Sequence, residues 1–396
     1  MNFARTWNTK SLSIVFVAYL LICFLSVAQG LFAPDKFYVP GGAAYTNYNN
    51  YVIFKYSFFH LVSGKDIYQL FPADHWDLYK YSPSFSLCFG LLAWLPDPAG
   101  LLLWNGINAF FLLAAIRMLP GLDDQKKSWI LLFCLPELLT SIQNSQSNGL
   151  MAGLIIMALA LAERSKYFLS ALCIVFSVYI KIFGIVAFVF YLFYKGKPRL
   201  IAYSLFWTAL MALLPLLVVD IHQLGFLYRS WQHLLMDDRS ASIGLSVMGL
   251  LDNWAHLDVP KNWVTLAGML LFCIPLIHIR KYKDRTFRML MLASVLIWIV
   301  IFNHKAESPT FIIAMAGIGI WYFSQPVSRV NLVLLILAFL LVSISISDLV
   351  PSFIRDSFVT RYAIKAVMPV VIWCKLQVDL LLLKEEPVHS KPLSLS

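Results

Sequence analysis

The residues most able to do chemistry fall in a few short polar stretches between long apolar runs. The densest is Asn303-His304-Lys305-Ala306-Glu307-Ser308-Pro309. His304 and Lys305 could bind a phosphate, Glu307 could accept a proton or hold a cation, and Pro309 can open the next helix. An ordinary Lys305–Glu307 pair on a loop would read the same way, and His304 without neighbouring ligands at suitable spacing does not make a metal site. A second stretch, Gln143-Asn144-Ser145-Gln146-Ser147-Asn148, is rich in amides and carries no charge. Gln143, Asn144, Gln146 and Asn148 would suit a hydroxyl-rich ligand such as a sugar. They would equally suit the capping of two helix ends.

Lys181 stands alone in the apolar run from Tyr167 to Tyr194. An ammonium at the centre of a membrane helix costs roughly 2.5–3.5 kcal/mol. The cost falls if two half-helices meet at Lys181 and the amine faces a polar cavity holding an anion; a helix beginning near Ile182 would add free N–H groups for a phosphate. A lysine that snorkels to lipid headgroups is the alternative. Asp66 follows Gly64, a helix stop, and reads either as a turn residue or as a site carboxylate. Tyr79-Lys80-Tyr81, Trp231, Trp254 and Trp263 could stack on sugar or lipid, as aromatic belts at membrane interfaces also do. Asp237-Asp238-Arg239 reads as a solvated charge cluster whose carboxylates could bind a divalent cation if their loop folds over the site.

The elements that must position these residues follow from composition. Of 396 residues, 60% are apolar and 13% charged, and mean hydropathy is +0.74. An ordinary soluble domain is only about 45–50% apolar. An all-α, polytopic membrane bundle in one domain, residues 1–396, is expected. The net charge of +10 does not point to nucleic acid, because Lys and Arg cluster beside apolar runs as juxtamembrane charges do. The six cysteines, Cys23, Cys88, Cys134, Cys173, Cys273 and Cys374, lie inside apolar stretches without zinc or disulfide spacing.

The first apolar run, Ser11 to Phe32, follows Arg5 and Lys10 and reads as an uncleaved signal anchor rather than a signal peptide ending near Ala28. Eleven further runs lie between Ala99 and Leu383, making about twelve crossings. With a cytoplasmic amino terminus, Arg117/Lys126/Lys127, Arg164/Lys166, Lys195/Lys197/Arg199, Arg280/Lys281/Lys283/Arg285/Arg288 and Arg329 all fall inside, as the positive-inside rule requires. This requires Ser82 to Leu95 to be a short interfacial or re-entrant helix. The outer face then holds a first loop (33–98) with interfacial helices, among them Asn50 to Val62, and a second loop (220–262). The tail 384–396 is cytoplasmic.

On Gly64-Lys65-Asp66-Ile67-Tyr68, Tyr81-Ser82-Pro83, Gln146-Ser147-Asn148 and Lys181, the sequence resembles glycosyltransferase family 87, the DUF2029 group of the GT-C superfamily, which includes polyprenyl-phosphate-sugar-dependent mannosyltransferases. The resemblance runs from the first loop to about Gly196. It implies an enzyme of the inner or plasma membrane that moves a sugar, mannose foremost, from a polyprenyl-phosphate donor to a glycan or glycolipid acceptor on the outer face. It further implies an acidic base or metal contact early in the first loop. Aligning Phe54 with the family's Tyr puts that position at Asn50, and Asn cannot take a proton as a carboxylate would.

The resulting expectation is an inverting transfer. Lys181, His304 and Lys305 hold the donor phosphate; Asp66, Asp77 or Glu307, with Asn50 at the family's acidic position, form the catalytic set; Tyr81 and the amide stretch meet the sugar or acceptor. A transporter or flippase with broken helices is the rival class, although no repeat of the two halves is visible. A non-catalytic scaffold is the third.

Overall fold

The computed structural model describes residues 10–238, 244–345, 350–351, 353 and 355–384. Arg5, Arg239 and the tail beyond Lys384 lie outside the described residues. The fold is helical, with one two-stranded antiparallel ribbon of β1 (Lys36–Phe37) and β2 (Ala44–Tyr45) in the first loop.

The helices are α1 (Lys10–Phe32), α2 (Asn49–Val62), α3 (Pro83–Ala93), α4 (Asp97–Arg117), α5 (Asp124–Gln143), α6 (Asn148–Ala162) and α7 (Tyr167–Ile180). A 3-10 helix, Ile182–Phe193, comes next. Then follow α8 (Lys197–Leu213), α9 (Ile221–Asp238), α10 (Val247–Ala255), α11 (Lys261–Cys273), α12 (Arg285–Ile301), α13 (Phe311–Phe323), α14 (Arg329–Ala338) and α15 (Ile364–Leu382).

Burial follows the sequence. From Met289 to Ile301 every residue of α12 is buried, as is all of α6. Helices apolar on every side belong at the centre of a bundle. Gly149 and Gly153 let α6 approach α4 closely: a Cβ at either would press within 3.0 Å of α4 backbone, at the Asn108 carbonyl and the Leu112 amide. Close contact through small residues is how helices associate where apolar surface alone gives no drive. At the periphery α8 exposes Leu205 and Phe206, and α1 exposes Ile14, Val17 and Leu21. Such apolar exteriors suit lipid.

The helices run between two chemically different ends. At one end Glu163, after α6, meets Arg288, at the start of α12, and Lys281 Nζ donates to the carbonyls of Leu380 and Leu381 at 3.2 and 2.8 Å. At the other end Asn50 Nδ2 donates to the Asn144 carbonyl at 2.8 Å, and Asn148 Nδ2 to the Pro309 carbonyl at 3.0 Å. The 15 residues of α6 separate these ends by about 22 Å at 1.5 Å per residue. Arg288 and Lys281 thus lie at the end opposite the polar tips.

Among the described residues three segments, Ser13–Phe32, Asp97–Arg117 and Lys197–Leu217, are long and apolar enough to cross a membrane. Others, such as α6 and α7, are apolar but shorter than the roughly 30 Å hydrocarbon thickness. The run from Ser82 to Leu95, expected to be a short interfacial or re-entrant helix, forms the short helix α3. Ser82 caps α3 and its hydroxyl donates to the Tyr179 carbonyl at the end of α7, 2.6 Å away, while Leu95 beyond α3 accepts from Lys55 Nζ of α2. Both ends of α3 therefore sit at the polar-tip end.

Candidate functional site

Lys181 lies between α7 and the 3-10 helix in extended conformation (φ −140°, ψ 125°). The two arms fold back on one another as a hairpin. Gly184 allows this, since a side chain there would collide with Ser177 of α7. Lys181 Nζ donates to Asn148 Oδ1 at 2.6 Å and lies 5.8 and 5.9 Å from the ring centres of Tyr81 and Phe183. An ammonium has three donors. Among the described contacts one meets an oxygen, on a neutral amide, which leaves capacity for an anion. Ile182 and Ile185, next along the chain, are 53% and 56% exposed, so the amine sits beside an apolar outer surface.

Asn148 is fully buried and bonded on both sides, to Lys181 and to the Pro309 carbonyl. It joins the hairpin tip to the turn from Asn303 to Pro309. That turn leads through the 3-10 turn Ser308–Thr310 into α13, with Pro309 in its first positions, as its sequence suggests. Glu307 is exposed at the start of the turn, where its charge acts on both Lys181 and Tyr81. The Tyr81 hydroxyl lies 3.4 Å from Gln146 Oε1. Burial, with the charges of Glu307 and Asp77 adding to it, holds the Tyr81 phenol above its ordinary pKa, so it stays a donor. Tyr81, Gln146, Asn148, Lys181 and Glu307 thus form one group drawn from four separate segments.

Other candidates stand at its margin. Asp77 is half exposed, in the left-handed region (φ 73°), and pairs with Lys80 at 3.2 Å. Its carbonyl is held by His75 Nδ1 at 3.0 Å. Asp66 accepts from the Tyr68 amide and from Ser230 of α9, the latter at 3.0 and 2.8 Å; it ties α9 to the segment between α2 and α3. For His304 and Lys305 the described contacts fix the backbone: the Lys305 amide donates to Asn303 Oδ1 at 2.9 Å, and the Leu245 amide to the Ala306 carbonyl at 2.7 Å. Among the described residues no three or more His, Cys, Asp or Glu gather as a metal set.

The amide stretch acts largely as a helix terminus. The Ser145 amide donates to the Ile142 carbonyl and the Gln146 amide to the Ser141 carbonyl, with Ser145 left-handed (φ 50°), the Schellman pattern that usually takes Gly. Trp104 Nε1 clamps the Ser145 carbonyl at 2.8 Å. Gln143 bonds Gln29 of α1, and the Asn144 side chain bonds the Thr140 carbonyl. Asn50 has a specific place here. Its Nδ2 donates to the Asn144 carbonyl, a contact that a carboxylate would turn into repulsion between two acceptors.

A family model described as Glycosyltransferase family 87 matches residues 79–302, more than half of the chain. This chain belongs to glycosyltransferase family 87. It is therefore a glycosyltransferase, and its apolar helices mark it as a membrane one. The match takes in Tyr81, Gln146, Asn148 and Lys181 and stops just before Asn303; compared with the resemblance, it starts later and reaches further into the second half. Comparison with curated proteins gives no match.

Two charged residues that the sequence reading passed over belong to the same end. Glu137 of α5 and Lys365 of α15, each 1% exposed, pair at 2.8 Å. Glu137 gave a signal, since it is a lone charge in the apolar run from Ser128 to Ser141, the feature that singled out Lys181; Lys365 shares its run with Lys375 and Asp379.

Proposed function

We propose that this glycosyltransferase moves a hexose, mannose on the family resemblance, from a polyprenyl-phosphate donor to a glycan or glycolipid acceptor at the polar-tip end, with inversion at the anomeric carbon. The observation that carries this reading is the Lys181 ammonium: it is bonded to one neutral amide oxygen, has donors to spare, and lies beside an exposed apolar surface. A lipid-borne phosphate satisfies both features at once, its charge on Lys181 and its chain along the bilayer. In the transfer, the acceptor hydroxyl attacks the anomeric carbon. The bond from that carbon to the phosphate oxygen breaks with its electron pair on the phosphate, where Lys181 stabilises the charge. Glu307, exposed two residues before the Pro309 that Asn148 links to Lys181, takes the hydroxyl proton. On the same turn Lys305 adds positive charge near the phosphate and His304 an imidazole donor, and Tyr81 and Gln146 orient the sugar. A divalent cation bound with the donor is compatible with this arrangement.

The topology that fits is a single domain with about twelve crossings, the basic end in the cytoplasm and the polar tips outside, in the inner or plasma membrane. The test is transfer by purified protein from a panel of labelled polyprenyl-phosphate sugars to membrane acceptors. The reading predicts product with wild type and near-complete loss in a Lys181→Ala/Lys305→Ala double variant. Unchanged transfer in that variant refutes the phosphate role, and movement of lipid-linked sugar without a new glycosidic bond would support the flippase class instead.

A further inference from the structure

We infer that Glu137 and Lys365 are positioning residues for this reaction: the buried pair sets where the Glu307 turn stands relative to Lys181. The inference rests on the site reading above. The Lys365 ammonium pairs with Glu137 Oε2 at 2.8 Å, donates to Ser308 Oγ at 2.8 Å and to the Ser308 carbonyl at 3.2 Å, and lies 5.1 Å from the Phe311 ring centre. Both of these hydrogen bonds grip the residue that follows Glu307. Pro309, next in the chain, accepts from Asn148, and Asn148 accepts from Lys181. A continuous polar thread thus runs from Glu137 and Lys365 through Ser308, Pro309 and Asn148 to Lys181. It crosses α5, α15, the turn and α6.

Stability does not account for this pair. Burying two charges costs about as much as their attraction returns, and apolar residues of similar volume often do as well or better. Its geometric effect is specific: the carboxylate of α5 fixes the ammonium of α15, and the ammonium fixes Ser308 through both its hydroxyl and its carbonyl. A turn released from that grip would let Glu307 drift from the acceptor hydroxyl, and a misplacement of about 1 Å can cost on the order of 100-fold in rate.

The experiment compares wild type, Lys365→Met/Glu137→Leu and Lys365→Arg in the transfer assay, with thermal unfolding measured in parallel. The apolar double variant removes both charges and leaves none stranded. The expected result is a thermal midpoint close to wild type, kcat down roughly 100-fold, donor KM within about twofold, and partial recovery of kcat in Lys365→Arg. A stable double variant with wild-type kcat overturns the inference, as does a fall in activity that tracks the loss of folded protein alone. If the double variant does not fold, Ser308→Ala carries the test, because it removes one acceptor and keeps the pair: reduced kcat at constant KM supports the inference and unchanged kcat overturns it. Lys181→Ala and Glu307→Gln are assayed alongside. If these leave transfer intact the site reading itself has failed; if they abolish it while the double variant does not, only the positioning role has.

Discussion

The two ends of the molecule each carry a partly buried cation, and they treat it differently. At the basic end the Arg288 guanidinium meets Glu163 through Nε and NH2, donates from NH1 to the Tyr282 carbonyl at 2.9 Å and lies over the Tyr194 ring. Tyr194 in turn donates to Glu163 at 2.8 Å. Charge and donors are both answered, and the cluster locks α6 to α12. At the polar-tip end Lys181 has one neutral oxygen and two aromatic faces, while the nearby carboxylate, Glu307, is exposed. A closed cation holds a structure together; an open one keeps free energy for a ligand. Helices of the same bundle build both ends, so the difference lies in the side chains.

The comparison can be broken in several ways. The largest expected effect is from Glu307→Gln, which keeps shape and removes the base; kcat should fall about 10²–10⁴-fold with the fold unchanged by circular dichroism. Next, Arg288→Ala strands Glu163 and should cost roughly 3–5 kcal/mol of stability, read as a lower unfolding midpoint, while transfer per folded molecule stays near wild type. Asn50→Asp, which introduces the carboxylate other sequences of the family are expected to carry, sets an acceptor against the Asn144 carbonyl. It should cost about 1–3 kcal/mol and lower transfer by loosening the first loop.

The smallest effect concerns pH. Burial holds the imidazoles of His60 and His75 below the ordinary histidine value, with the Asp74 contact pulling His60 part of the way back. In the unfolded chain both titrate near 6.5. Their neutral forms therefore stabilise the first loop fully above that pH. Below it the unfolded chain binds more protons, and the contribution is lost as pH falls on through the folded-state values. Thermal midpoints should drop by a few degrees between pH 7.5 and 5, and less in His75→Phe; equal drops would show that His75 is not responsible.

The bundle was legible because its signals are long and repeated. Apolar runs marked α4 to α7 and α12 to α15, and the short run from Ser82 to Leu95 marked α3. Gly64 as the stop of α2 was legible too: it is left-handed (φ 69°), and the Lys65 amide returns to the His60 carbonyl. The site was read only in part. Lys181 announced itself by the cost of its surroundings, but its partner Asn148 lies 33 positions away, and no local pattern encodes such a pairing. Asn50 was read for the proton it cannot take, whereas the fold uses the proton it can give. Glu137 and Lys365 were hidden for a similar reason. They lie in separate apolar runs, and only the meeting of α5 with the start of α15 shows that the two charges cancel.

The claim on which the account depends is that the Lys181 ammonium has donors to spare for a phosphate carried on lipid. The most direct measurement is the affinity of purified protein for a polyprenyl-phosphate hexose, wild type against Lys181→Met, in a mild detergent with no acceptor present. A charged hydrogen bond of about 1.5–3 kcal/mol predicts binding weakened roughly 10- to 150-fold, with the unfolding midpoint unchanged or raised. Equal affinity in the two proteins would contradict it.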